Sequence, residues 1–219
     1  MIWQTVSTSS EDTERLGELL GSLLKTNEHE PVALERSARR RRGTEGTIQI
    51  GTGTEYHSRQ HTNLPRAAGA SASGRWPGSG AIGEEVIELR SDLGGGKTTF
   101  VRGLVRGLGS QDIVSSPTFT LNQIYKCKKG VELHHFDFYR LNDAGIMADQ
   151  LVESLKNPCV VTVVEWSDIV QNVLPEQRLT IEFKPIANDS EEREIKISYP
   201  ETKAALVRKL ETSWQELRP

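Results

Sequence analysis

The chain of 219 residues contains only two cysteines, Cys127 and Cys159. They lie too far apart to show metal-ligand spacing, so the pattern excludes a zinc ribbon or a disulfide scaffold and predicts free thiols of a cytosolic protein. No run of about 18 apolar residues occurs, which argues against a membrane-spanning helix. The opening MIWQTVSTSSEDTERL lacks the basic start and apolar stretch of a secretory leader. Charge is nearly balanced at a formal −3, so the overall composition gives no reason to expect tight nucleic-acid binding. These absences leave a soluble, cytoplasmic chain with room for one domain.

Periodicity is also missing over a long stretch. Residues Leu16, Leu19, Leu20, Leu23 and Leu24 form one apolar stripe at helical spacing, and Thr8 with Glu11 fits a capping box before it. From Thr26 to Gly83, neither a 3.6 nor a 2.0 period is sustained. This segment holds nine of the chain's 19 glycines and the run Arg39-Arg40-Arg41-Arg42, yet none of its lysines. Such a compositional break predicts an insertion, largely disordered, between a helix and the next strand. Lengthening that loop from about 4 to about 60 residues costs roughly 2.4 kcal/mol of closure entropy, which a domain tolerates. The Arg run has the chemistry to touch RNA phosphates, but a solvated loop or the relic of an inserted element is the favoured reading. A short strand at 44–50 is the one element expected inside the segment.

Order resumes after it. Val86 to Leu89 reads as a strand, and a helix carries Phe100, Val101, Leu104, Val105 and Leu108 on one face before Gly109 ends it. VELHHFDFYRL alternates like a strand. PCVVTVVEW is a continuous apolar run, as in a buried parallel strand. RLTIEFKPI and REIKISYP read as a β-hairpin, and ETKAALVRKLETSWQEL as a closing helix. The expected fold is α/β, a mostly parallel sheet with an antiparallel edge, flanked by helices.

One glycine is absent where it matters. A phosphate loop reads G-x-x-x-x-G-K-[ST], and counting back from Gly96-Lys97-Thr98 puts Ser91 at the leading position. The remaining parts are present. Gly94, Gly95 and Gly96 supply a permissive backbone, Lys97 a charge for the outer phosphates, and Thr98 a hydroxyl for Mg²⁺. Ser91 takes the bend if its φ stays negative. Glu165 ends an apolar strand, which places a carboxylate at the sheet edge where ligands bind in open α/β folds. Trp166 beside it either stacks near a nucleotide or packs at the strand end. In HFDFYR, Phe136 and Phe138 face one way and His135, Asp137 and Tyr139 the other; Asp137 can orient an attacking water, alone or through Mg²⁺. In SSPTFT, Pro117 fixes a turn among hydroxyls, and Thr118 is the expected phosphate-sensing contact.

The series SDLGGGKTTF, SSPTFTL, HFDFYRL and VVEW resembles the TsaE (YjeE) family of small bacterial P-loop ATPases required for threonylcarbamoyladenosine formation on tRNA. The likeness covers the N-terminal helix and residues 84 to about 200. It implies a P-loop NTPase fold that binds ATP and Mg²⁺, hydrolyses ATP slowly, and works with the TsaB and TsaD proteins, meeting tRNA only through that complex. By matching motifs it implies that Gly94, Gly95, Gly96, Lys97, Thr98 and Thr99 bind phosphates, with Thr98 and Glu165 around the metal. Asp137 would assist hydrolysis together with Lys97 and Glu165, Thr118 would belong to a switch-like loop, and Trp166 would lie near the nucleotide. Two alternatives share the loop: a small-molecule kinase, and a nucleotide-binding adaptor with impaired turnover. Outside 26–83 only about 160 residues remain, with no separate lid or acceptor-binding segment for a kinase.

Overall fold

The computed structural model describes residues 1–24, 85–187 and 191–217. The segment 26–83 and its expected strand at 44–50 lie outside the described residues. In chain order the elements are β1 (Ile2–Ser7), α1 (Ser10–Leu23), β2 (Glu85–Arg90), α2 (Lys97–Gly107), β3 (Asn122–Lys126), β4 (Glu132–Asp137), α3 (Gly145–Lys156), β5 (Val160–Glu165), β6 (Leu179–Pro185), β7 (Arg193–Ser198) and α4 (Ala204–Glu216). Among the described residues no helix is long and apolar enough to cross a membrane.

The strands form one sheet in the order β1-β7-β6-β2-β5-β4-β3. Its centre, β6-β2-β5-β4, is parallel, and both margins are antiparallel. Strand β5, VVTVVE, is buried at all six positions, because helices cover both faces of a parallel sheet and leave no polar side. One face packs Ile87, Leu89, Val161 and Val163 against Leu16, Leu20, Phe100, Leu104, Val207 and Leu210 of α1, α2 and α4. The other packs Val86, Phe136 and Val164 against Leu151 and Leu155 of α3.

Two local features differ from the sequence-based expectation. The helix cap is Ser9, whose hydroxyl accepts the Asp12 amide; Thr8 instead donates its own amide and hydroxyl to the Asp12 carboxylate. Strand β1 was not expected, since it pairs only with β7 and leaves Ile2 exposed. Strand β4 lies inside the sheet, because β3 pairs on its far side. Both cysteines are free, and burial pushes the Cys127 thiol up to about 11, so it stays protonated near neutrality.

Helices α1 and α2 run side by side with their backbones nearly touching. A Cβ at Gly103 would strike the Glu14 carbonyl, and one at Gly17 would strike that of Phe100. Small residues on both sides of the seam permit this approach, and Arg106 clamps it by reaching Glu14.

A charged group is buried behind the strand that leads to the glycine loop. Glu88 in β2 is fully buried and accepts hydrogen bonds from Arg90, Ser167, Gln171, Arg178 and Thr180. Burial alone pushes this carboxyl up, but the bonds from Ser167, Arg178, Arg90 and Gln171 together hold it down at about 2. A folded-state value below the unfolded one stabilises at pH above the ordinary carboxyl range, and the gain is lost as pH falls from about 4.5 toward 2. Glu88→Gln is therefore expected to destabilise the fold by about 3 kcal/mol at pH 7, measured by urea denaturation. The difference from wild type should shrink in titrations taken stepwise from pH 5 to pH 2.5.

Candidate functional site

The parallel strands β2, β4 and β5 end level with one another, since Leu89 and Asp137 both pair with Glu165. Beyond β2 the chain turns through Ser91 to Gly96 and enters α2 at Lys97. Gly94 and Gly96 hold φ of 77° and 103°, where a Cβ is strained. Ser91 is not among the positive-φ residues, so the bend is made without left-handed backbone at the leading position. Gly96 caps α2 with no side-chain hydrogen bond, and no acid sits in the first turn. The first amides of the helix are thereby left without a side-chain acceptor, and with the helix dipole they make an anion site.

Lys97 is 7% exposed. Its ammonium donates to the Ser91 carbonyl at 3.1 Å, the Ser91 hydroxyl at 2.9 Å and the Asp92 carbonyl at 3.2 Å. Glu165 Oε2 lies 3.7 Å away, and the Trp166 ring centre 5.2 Å away. The other Glu165 oxygen is 2.9 Å from His135 Nε2. His135 is fully buried, and among the described residues its Nδ1 has no partner. A hydrogen on Nδ1 would be buried without an acceptor, which favours the tautomer that carries its hydrogen on Nε2 and donates it to Glu165.

Asp137 joins the cleft to the loop before β3. Its Oδ2 accepts the Thr118 hydroxyl at 2.6 Å and its Oδ1 the Tyr139 amide at 2.9 Å. Thr118 has one proton and spends it on Asp137, so the Ser116 hydroxyl 2.8 Å away must be the donor to Thr118. Left-handed backbone at non-glycine residues brackets this region, at Leu121 (φ 65°) and Trp166 (φ 52°). Such conformations cost of order 1–3 kcal/mol and persist where surrounding contacts enforce them. The Trp166 ring meets Tyr139 at 4.8 Å between centres.

These groups surround a cavity of about 200 Å³ lined by Leu93 to Thr99, Ser116, Thr118, Asp137, Glu165 and Trp166. Every residue singled out in the sequence for a nucleotide site lines this one cavity: Gly94, Gly95, Gly96, Lys97, Thr98, Thr99, Thr118, Asp137, Glu165 and Trp166. Two lining residues were not named individually from the sequence, and one role escaped it. Leu93 and Ser116 also line the cavity, and His135 orients Glu165 from the adjacent strand. The signal for His135 was its place two residues before Asp137 on the same face; its partner could be named only once β4 and β5 were known to be neighbours.

The donor chemistry suits a polyphosphate and a hard cation. Uncapped amides at a helix start with a lysine fit phosphate oxygens. Thr98, Asp137 and Glu165 offer only oxygen, and Mg²⁺ is commonly held by one or two carboxylates together with substrate phosphates. Among the described residues no cluster of three or more His, Cys, Asp or Glu side chains could hold a metal by itself. His135→Leu should leave Glu165 short of a donor and destabilise the fold by about 1–3 kcal/mol, measured by chemical denaturation.

Comparison with known proteins adds a family to this geometry. A profile described as "Threonylcarbamoyl adenosine biosynthesis protein TsaE" matches residues 65–195. Three relatives, each named tRNA threonylcarbamoyladenosine biosynthesis protein TsaE, are similar to the chain. That of Bacillus subtilis is 41% identical over 112 residues, 51% of this chain and 67% of the relative. That of Haemophilus influenzae is 38% identical over 44% of this chain and 60% of the relative. That of Treponema pallidum is 37% identical over 49% and 78%. The chain thus spans about two thirds of the length of these relatives. The crystal structure of Bacillus subtilis YdiB superposes with a TM-score of 0.58 at 21% identity, covering 97% of this chain and 96% of that one, and shows the same fold.

Proposed function

The chain belongs to the TsaE family, and from that premise we propose that it is the ATPase component of the machinery forming N6-threonylcarbamoyladenosine on tRNA. In this reading it binds ATP with Mg²⁺, hydrolyses it slowly, and acts in the cytoplasm with the TsaB and TsaD proteins, touching tRNA only through them. The observation that carries the proposal is the meeting of four separate segments in one cavity: the glycine loop, the Ser116–Thr118 turn, Asp137 and Glu165-Trp166.

The residues divide the work by their chemistry. The amides of Gly94 to Thr99 and the Lys97 ammonium bind and orient the phosphates. The Thr98 hydroxyl and Glu165 hold the cation, with His135 keeping Glu165 aimed. Bound there, Mg²⁺ neutralises charge on the outer phosphates. Asp137 takes the proton of the attacking water, and its bonds from Thr118 and Tyr139 fix its orientation. Because Thr118 donates to that same carboxylate, its loop is tied to the site that it would sense. Trp166 closes one side of the cavity. The segment 26–83 is an insertion in a single P-loop domain and takes no part in this chemistry.

Lys97→Ala is expected to weaken ATP binding by about 100-fold, measured by calorimetry. Asp137→Ala should keep the wild-type affinity and lose about 100-fold or more in phosphate release; hydrolysis at the normal rate would remove Asp137 from its role. A chain lacking residues 26–83 should fold, bind ATP and turn it over, whereas loss of folding would overturn the insertion reading. Copurification of TsaB and TsaD with this chain in the presence of ATP tests the partnership.

A further inference from the structure

Ser91 stands where the phosphate-loop motif has its leading glycine, and its surroundings show what the replacement does. Its hydroxyl accepts from the Lys97 ammonium at 2.9 Å and donates to the Asp92 carbonyl at 2.9 Å. An ammonium has three hydrogens, and Ser91 carbonyl, Ser91 hydroxyl and Asp92 carbonyl already make three acceptors for Lys97. A phosphate oxygen must displace one of them.

Gly95 is the second half of the arrangement. The motif asks for no glycine at this position, and unlike Gly94 and Gly96 it has no positive φ to explain it. A Cβ there would fall 2.6 Å from the Ser91 Cβ and closer still to its hydroxyl, while the nearest backbone atom, the Asp92 carbonyl, would be 3.1 Å away. The room that Gly95 leaves is the room that the Ser91 side chain fills.

We propose that Ser91 and Gly95 form a coupled pair in which Gly95 makes space for the Ser91 hydroxyl, and that hydroxyl is a positioning residue that competes with phosphate for Lys97. The loop is thus restrained by its own side chain before nucleotide arrives. The competition rests on the ATP-binding reading above; the steric pairing does not.

Two measurements on the full chain decide it. The first is a thermal-stability cycle. Gly95→Ala should lower Tm by about 5 °C in the wild type and by much less in the Ser91→Gly background, as expected for contacting residues. Equal losses in both backgrounds overturn the pair. The second is calorimetric binding of ATP, ADP and AMP to Ser91→Ala, which removes the hydroxyl and keeps the Cβ. Since the motif lysine serves the outer phosphates, ATP and ADP should bind about three- to tenfold more tightly, with AMP unchanged. An ATP affinity that is unchanged or weaker, or an equal gain for AMP, overturns the competition. If neither wild type nor variant binds any nucleotide, the proposed function falls and the competition with it, while the stability cycle still decides the pair.

Discussion

An ammonium and a carboxylate face each other 3.7 Å apart at the floor of the cleft, Lys97 and Glu165, both nearly cut off from water. Two such charges taken out of water are tolerable only if each is also hydrogen-bonded. The surrounding structure meets that demand from several directions. The loop turns its Ser91 and Asp92 carbonyls toward Lys97, and His135 reaches Glu165 from the neighbouring strand. The level ends of β2, β4 and β5 place these groups at the same height. A slip of one residue in either parallel pairing would turn Glu165 away from Lys97 or from His135. The charge pair is therefore a test of sheet register as well as a binding feature.

Much of the site was legible because its chemistry is local. Gly94 to Thr98 announce themselves by spacing alone, and Glu165 by ending an apolar run. Asp137 could be assigned to a face by alternation, which the buried Phe136 on the opposite core confirms. What stayed hidden depends on non-adjacent pairing. His135 and Glu165 are 30 residues apart, and only the strand order brings them together. Glu88 read as one polar residue in a short strand, although five side chains converge on it. Its partners Arg178 and Thr180 lie about 90 residues away. Strand β1 escaped because a half-exposed margin strand carries little patterning, and the true cap was missed because Thr8 and Ser9 are both competent to serve.

Two of the three described non-glycine residues with positive φ, Leu121 and Trp166, mark where the backbone serves the cleft rather than its own comfort. The first follows the Pro117 turn and accepts the Asp137 amide through its carbonyl. The second sits directly after Glu165 and leads into the short helical turn whose Ser167 holds Glu88. Both sides of the cleft are thus tied to buried polar groups, one to Asp137 and the other to the carboxylate behind β2.

The close, parallel packing of α1 on α2 has a consequence for how such a molecule can change over time. Thr13 lies beside Gly96 at the start of α2, and Gly21 lies beside Gly107 at its end, so α1 finishes at the pole remote from the cleft. Strand β2 begins at that same pole, because the cleft occupies the carboxyl ends of the parallel strands. The backbone departs after Leu24 and returns at Glu85 with both junctions far from the chemistry. Sequence can accumulate at this seam under little constraint from the reaction, because growth and catalysis are separated there by the full height of the sheet.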